Sequence, residues 1–252
     1  MGLSEAELDR YARHIVLRDL GGPGQARLKA ASVAVVGAGG LGAPALLYLA
    51  AAGVGRITLI DDDTVALSNL QRQVLFDMAA LGRSKVHVAA ARLRALNPEI
   101  ALRPIAARID AKNAAALLAG QDLVLDGSDS FATRWAVNAA CVGMAVPLLS
   151  GAVGQWDGQV SLFAPHLGVP CYACIFSQAP SVEQVPACAE AGILGALPGI
   201  IGALMAAEAV KYIAAAGQTL AGRLLIYDGL LAEPQVFTIN RKDDCPICGE
   251  SC

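Results

Sequence analysis

Apolar residues fall along this chain in short runs separated by glycine-rich or acidic breaks. Ser32–Val36, Arg56–Ile60, Ile100–Ile105, Leu123–Asp126 and Val146–Leu149 are short, aliphatic and predict buried strands. Between them the pattern is helical: from a glycine loop through about Ala52, over Lys85–Leu96 as far as Asn97-Pro98, over Ala111–Ala119, and over Phe131–Cys141. Strands alternating with helices imply an α/β fold with a Rossmann-like, mostly parallel sheet and helices on both faces. Gln159–Phe163, Arg223–Tyr227 and Gln235–Ile239 lack that alternation and predict antiparallel strands continuing the sheet. At the start, Ser4-x-x-Glu7 is a capping box that predicts a helix to about Leu20, ended by Gly21-Gly22-Pro23-Gly24. Ser177 to Pro186 is polar, contains proline and is the best candidate for a mobile loop.

Composition narrows the class. The 252 residues are 55% hydrophobic and 16% charged, ample for a sizeable core and unlike a disordered chain. A net charge of −3 and 5% aromatics give no footprint for nucleic acid or an anionic membrane. The uncharged stretches from Ser32 to Gly55 and from Ala191 to Ala207 are interrupted by glycine and proline, and read as buried core rather than membrane spans. With no apolar leader pattern at the N-terminus, a cytoplasmic location is expected. One domain is predicted: an N-terminal helical segment (1–31), a nucleotide-binding half (32–165), and a second half (166–252).

The candidate chemistry starts at Gly37-Ala38-Gly39-Gly40-Leu41-Gly42, a Gly-x-Gly-x-x-Gly loop between strand and helix. Gly37, Gly39, Gly40 and Gly42 let backbone approach a phosphate, and the helix N-terminus offers free N–H groups. Asp61, at the end of the next strand, suits ribose hydroxyls. These features alone fit NAD or FAD better than ATP. Arg72 and Lys85 either supply the cationic clamps that a reaction at a triphosphate needs, which would shift the balance to ATP, or are solvated surface charges. Asp126-Gly127-Ser128-Asp129-Ser130 ends another predicted strand, where Asp129 can hold Mg²⁺ against phosphate oxygens, or Asp129 or Ser130 can cap the following helix. Cys171-x-x-Cys174 and Cys245-x-x-Cys248 offer four thiolates suited to a closed, structural Zn²⁺ site. Cys188 precedes an apolar helix and is a candidate nucleophile or a buried small hydrophobe; Cys141 sits in an apolar helix and reads as core.

Taken in order, these residues resemble the ThiF/MoeB/HesA family, relatives of the ubiquitin-activating enzymes. The resemblance spans nearly the whole chain: Arg10-Tyr11-Ala12-Arg13-His14-Ile15, the glycine loop, Leu67-Ser68-Asn69-Leu70-Gln71-Arg72-Gln73, Leu96-Asn97-Pro98 and both cysteine pairs. It implies ATP-dependent adenylation of the C-terminal glycine of a small ubiquitin-like sulfur-carrier protein ending in Gly-Gly, of thiamine or molybdopterin type, with release of pyrophosphate. It further implies that Asp61 binds the ribose, that Asn69, Arg72 and Lys85 contact the phosphates, and that Asp63 and Gln73 belong to the same nucleotide site. Asp129 would hold Mg²⁺, and Arg13 would reach the ATP of the other subunit in a homodimer. Cys188 aligns with a cysteine that in the thiamine branch joins covalently to the carrier; otherwise a separate sulfurtransferase completes the chemistry. The chain departs from the family in Gly127-Ser128, where a Cys-Thr pair is common, and in Ser130, where Asn is common. Two other readings remain open at this point: an NAD-dependent oxidoreductase, resting on the glycine loop alone, and a non-catalytic scaffold for a ubiquitin-like protein.

Overall fold

The computed structural model describes residues 2–177 and 192–249, so Cys188, Cys252 and nearly all of the loop expected from Ser177 to Pro186 lie outside the described residues. All the predicted strands form: β1 (Ser32–Val36), β2 (Arg56–Ile60), β3 (Ala101–Ile105), β4 (Leu123–Asp126), β5 (Leu148–Val153), β6 (Asp157–Phe163), β7 (Arg223–Asp228) and β8 (Glu233–Thr238). They make one eight-stranded sheet in the order β3-β2-β1-β4-β5-β6-β7-β8. Neighbours from β3 to β5 are parallel, and β5 to β8 are antiparallel.

Alternation along the strands splits the core into two layers. Val33 and Val35 of β1, with Leu123 and Leu125 of β4, face one side. Ala34, Val36 and Val124 face the other. The first face is covered by α3 (Gly21–Ala30), α4 (Gly42–Ala51), α5 (Lys85–Leu96) and the long helix α9 (Leu197–Ala214). The second is covered by α6 (Ala114–Leu118), α7 (Phe131–Gly143) and Tyr172, which opens the short α8 (Tyr172–Ile175). Helix α9 is long and apolar enough to cross a membrane by length and composition, but half of it is buried and it packs on α3, α4, β5 and β6.

The N-terminal segment corrects the expected single helix. It is broken into α1 (Glu5–Arg10) and α2 (Ala12–Ile15) at Tyr11. Tyr11 is 3% exposed because its ring packs on Gly53, where a Cβ would stand 2.4 Å from the ring. Its hydroxyl accepts a hydrogen bond from Asn97 Nδ2 at 2.9 Å, and Arg10 donates to the Leu96 carbonyl at 3.0 Å. The Arg10-Tyr11 and Leu96-Asn97-Pro98 strings therefore hold each other. Gly21-Gly22-Pro23-Gly24 does not end a helix; it begins α3. Pro23 is tolerated in a first turn, which lacks N–H partners anyway. A Cβ on Gly24 would come within 3.0 Å of the Leu20 side chain and 3.4 Å of Ala214, so a side chain there would crowd Leu20 where α3 packs beside the end of α9.

Candidate functional site

The carboxyl ends of β1, β2 and β4 meet where the strand order reverses about β1, the place where open α/β sheets bind ligands. Gly37 leaves β1 with φ +85°, a left-handed conformation that favours glycine. A Cβ on Gly42 would fall 1.8 Å from the Gly37 carbonyl oxygen, so the turn into α4 closes on itself with no room for a side chain. Gly37 also lies against the β4 end: a Cβ there would stand 3.1 Å from the Gly127 carbonyl oxygen. Asp61 braces this loop. One of its oxygens accepts from the Ala38 amide at 2.7 Å and the other from the Asp63 amide at 2.8 Å. Burial raises the Asp61 pKa, against the pull of those amides and of Lys85.

Arg72 and Gln73 flank the glycines. A Cβ on Gly40 would lie 3.9 Å from Arg72 Cδ, and one on Gly39 would lie 3.4 Å from Gln73 Nε2. Gln73 is 4% exposed and its Oε1 has no hydrogen-bond partner among the described residues, an acceptor that a ligand donor would satisfy. Asn69 Oδ1 accepts from the Ala66 amide at 3.3 Å, and Arg72 Nη1 donates to the Ser68 carbonyl at 2.9 Å. Lys85 opens α5 with its side chain buried, and its Nζ sits 2.7 Å from the largely exposed carboxylate of Asp63.

At the end of β4, Asp126 is fully buried, and burial raises its pKa despite the nearby Arg134 charge and its bonds with Ser128. Ser130, not Asp129, caps α7, accepting from the Thr133 amide. Asp129 is exposed and, among the described residues, makes no hydrogen bond, so its carboxylate is available at the mouth of the site. The structure thus brings Gly37, Gly39, Gly40, Gly42, Asp61, Arg72, Gln73 and the Gly127–Asp129 turn together, with Asp63 and Lys85 joined to them through Asp61.

Arg13 is the exception. It is exposed on α2, two residues from Tyr11, which packs on Gly53 just beyond the far end of α4. A helix of that length separates its ends by about 15 Å. Arg13 therefore stands well away from the glycine loop of its own chain.

The four paired cysteines gather elsewhere, all buried, with their sulfurs within 4.8 Å of one another. Cys171 Sγ lies 3.9 Å from Cys174 Sγ and 3.6 Å from Cys245 Sγ, and Cys174 Sγ lies 3.5 Å from Cys248 Sγ. For Cys245, burial acts upward, but the amides of Cys248 and Ile247 outweigh it and bring the thiol down to about 7. Cys141 is core as expected, with burial pushing its thiol up to about 12.

The sequence alone gives no role to Arg134, Asn138 and Tyr172, which are buried: Arg134 donates to the Ser128 carbonyl, Asn138 accepts from the Tyr172 amide, and Arg134 and Tyr172 line one small cavity. The available signal was two polar residues one turn apart, Arg134 and Asn138, in an otherwise apolar helix.

Comparison with known proteins agrees with this geometry. The ThiF family profile matches residues 11–247. The sulfur carrier protein adenylyltransferase of Thermus thermophilus is 48% identical over 99% of this chain and 94% of its own. The molybdopterin-synthase adenylyltransferase of Escherichia coli is 43% identical over 98% of this chain and 99% of its own. Among solved structures, E. coli MccB with succinimide superposes with a TM-score of 0.84 at 25% identity, over 96% of this chain and 74% of that one. On the evidence of a profile that covers nearly its full length, the chain belongs to the ThiF family.

Proposed function

We propose that this chain is an adenylyltransferase that activates the C-terminal glycine of a small ubiquitin-like sulfur-carrier protein with ATP. The observation that carries the reading is the convergence, at one strand-order switch point, of a braced glycine loop, Arg72, buried Lys85 and the available carboxylate of Asp129. The carrier carboxylate oxygen forms a bond to the α-phosphorus while the α–β bridging P–O bond breaks, and pyrophosphate leaves. The glycine loop and the N-terminus of α4 supply amides to the phosphates. Arg72, Asn69 and Lys85 turn from their present intramolecular partners to phosphate oxygens, and positive charge held there offsets what develops as pyrophosphate departs. Asp61 lies on the ribose side, with Asp63 beside it and Gln73 against Gly39, and Asp129 would hold the Mg²⁺ that accompanies ATP.

The cysteine cluster fits zinc. Four thiolates about 2.3 Å from a tetrahedral Zn²⁺ stand about 3.8 Å apart, close to the separations observed. With four sulfurs and no open position, such a site holds the fold rather than reacting. Homodimer formation is supported by Val16, Leu17 and Tyr48, which are 74%, 53% and 58% exposed and lie on or near the segment that carries Arg13. Arg13 then completes the charge clamp of the partner subunit. Cys188 remains the candidate for a covalent step with the carrier, the alternative being sulfur delivery by a separate sulfurtransferase.

ATP–pyrophosphate exchange tests the reading. Exchange that requires a carrier ending in Gly-Gly, and disappears when that tail is removed, is expected. NAD reduction without exchange, or carrier binding without exchange, would replace it with the oxidoreductase or the scaffold reading.

A further inference from the structure

Ser128 is held at both of its backbone polar groups. Its N–H donates to Asp126 Oδ1 at 2.9 Å, and its carbonyl accepts from Arg134 Nε at 3.1 Å. Fixing both groups of one residue sets the direction in which the chain leaves it, and the next residue is Asp129. The Arg134 donor is a buried guanidinium, 7% exposed, and a charge in that position costs desolvation that only firm partners offset. The firm partner is the Ser128 carbonyl; the Asp126 carboxylate is near enough to feel the Arg134 charge, and the Tyr172 side chain lines the same small cavity as Arg134.

Tyr172 is in turn fixed from several sides. It is 2% exposed, with its ring centroid 5.7 Å from that of Phe163 and 4.6 Å from that of Phe176. Its N–H donates to Asn138 Oδ1 at 2.9 Å, and Asn138 Nδ2 reaches Cys171 Sγ at 3.7 Å. Arg134 and Asn138 are four apart on α7 and so share one face. A run of neighbouring groups therefore leads from the cysteine cluster through Asn138, Tyr172 and Arg134 to the Ser128 carbonyl.

We propose that Arg134 is a positioning residue for Asp129, and that Tyr172 and Asn138 brace it against the cysteine cluster. The inference rests on the reading that Asp129 holds Mg²⁺. Its consequence is that loosening the brace moves the metal requirement of the reaction and leaves recognition of the carrier alone.

The test compares Arg134→Met, Arg134→Lys and Asn138→Leu with the intact full chain. Arg134→Met should raise the Mg²⁺ concentration for half-maximal ATP–pyrophosphate exchange about tenfold, the size typical of losing a group that orients a metal ligand. The half-saturating carrier concentration should not move. Arg134→Lys keeps the buried charge and one donor, and should recover part of the loss. Asn138→Leu should shift the Mg²⁺ requirement the same way but less, and should speed amide hydrogen exchange at Ser128–Ser130. A folded Arg134→Met protein with the wild-type Mg²⁺ requirement overturns the proposal. If that variant does not fold, unchanged Mg²⁺ requirement and unchanged amide exchange in both Arg134→Lys and Asn138→Leu overturn it. Asp129→Ala separates the two claims. Wild-type exchange in that variant defeats the Mg²⁺ reading itself, whereas lost exchange beside unaffected Arg134 variants defeats only the present inference.

Discussion

Asp129 and Glu7 are both acidic, and their surroundings give them opposite tasks. Asp129 is exposed and spared from capping by Ser130, so its charge is free to act on a ligand. Asp129→Ala should lower ATP–pyrophosphate exchange on the order of a hundredfold or more, as for other lost electrostatic elements, with the unfolding midpoint unchanged. Glu7 is instead consumed by structure. Its carboxylate takes the Ser4 N–H at 2.7 Å and Lys29 Nζ at 2.6 Å, with its side chain 4% exposed. Burial works to raise its pKa, but Lys29 and Ser4 prevail and hold it below the usual glutamate value. A lowered native pKa stabilises above the unfolded value, and that stabilisation is lost as pH falls through the native one. Glu7→Gln should therefore cost about 1–3 kcal/mol at neutral pH, the range for a hydrogen bond to a charged group. The deficit should shrink as acid protonates the wild-type carboxyl, which denaturation curves from neutral to acidic pH will show.

At the scale of elements, strands were legible to within a few residues because each is a short aliphatic run bounded by turn residues. The N-terminal helices were not. Helical periodicity continues through Tyr11, and only its docking on Gly53 and Asn97 breaks the segment there. Glycine and proline at 21–24 ordinarily punctuate, but here they fall in the first turn of a helix whose packing on α9 outweighs their poor helix propensity. The cysteine pairs were legible as a ligand set from spacing alone, while their meeting depends on β7 and β8 returning the chain to α8. That element carries its own prediction. Cys248→Ser should lower the thermal midpoint by several degrees and reduce bound zinc from one per chain, because a structural metal contributes folding energy directly. Metal analysis with thermal denaturation checks it, and four freely titratable thiols in native wild-type protein would refute the zinc assignment.

For the whole molecule, the glycine loop, Asp61 and Asp129 could be named beforehand because local sequence places them at strand ends, and Arg72 because it falls in the Ser68–Gln73 string that carries the family resemblance. Arg134, Asn138 and Tyr172 could not, since their partners are a carbonyl, an amide and a thiol that only the tertiary fold brings near. Among the described residues, Arg13 joins no site of its own chain. Mixing Arg13→Ala chains with Asp129→Ala chains should then partly restore activity, because one site of the mixed dimer has Asp129 intact and receives an intact Arg13. No recovery in mixed dimers confirmed by mass would place Arg13 in its own chain's chemistry or outside it.

The position of α9 has a consequence for how the protein is made. Strands β1 to β5 and helix α4 are all complete by Val153, yet the helix that covers α4 begins only at Leu197. Ile201 and Met205 of α9 belong to the same buried cluster as Leu46 and Leu49 of α4, and a Cβ on Gly202 would stand 2.4 Å from the Leu41 carbonyl oxygen. During synthesis the side of α4 that α9 will cover must therefore wait, exposed, until α9 leaves the ribosome. Contacts this distant in sequence form late and expose the growing chain to association in the meantime. A chain released before Leu197 should accumulate as aggregate or bound to chaperones, even though every glycine and strand of the nucleotide loop is already present.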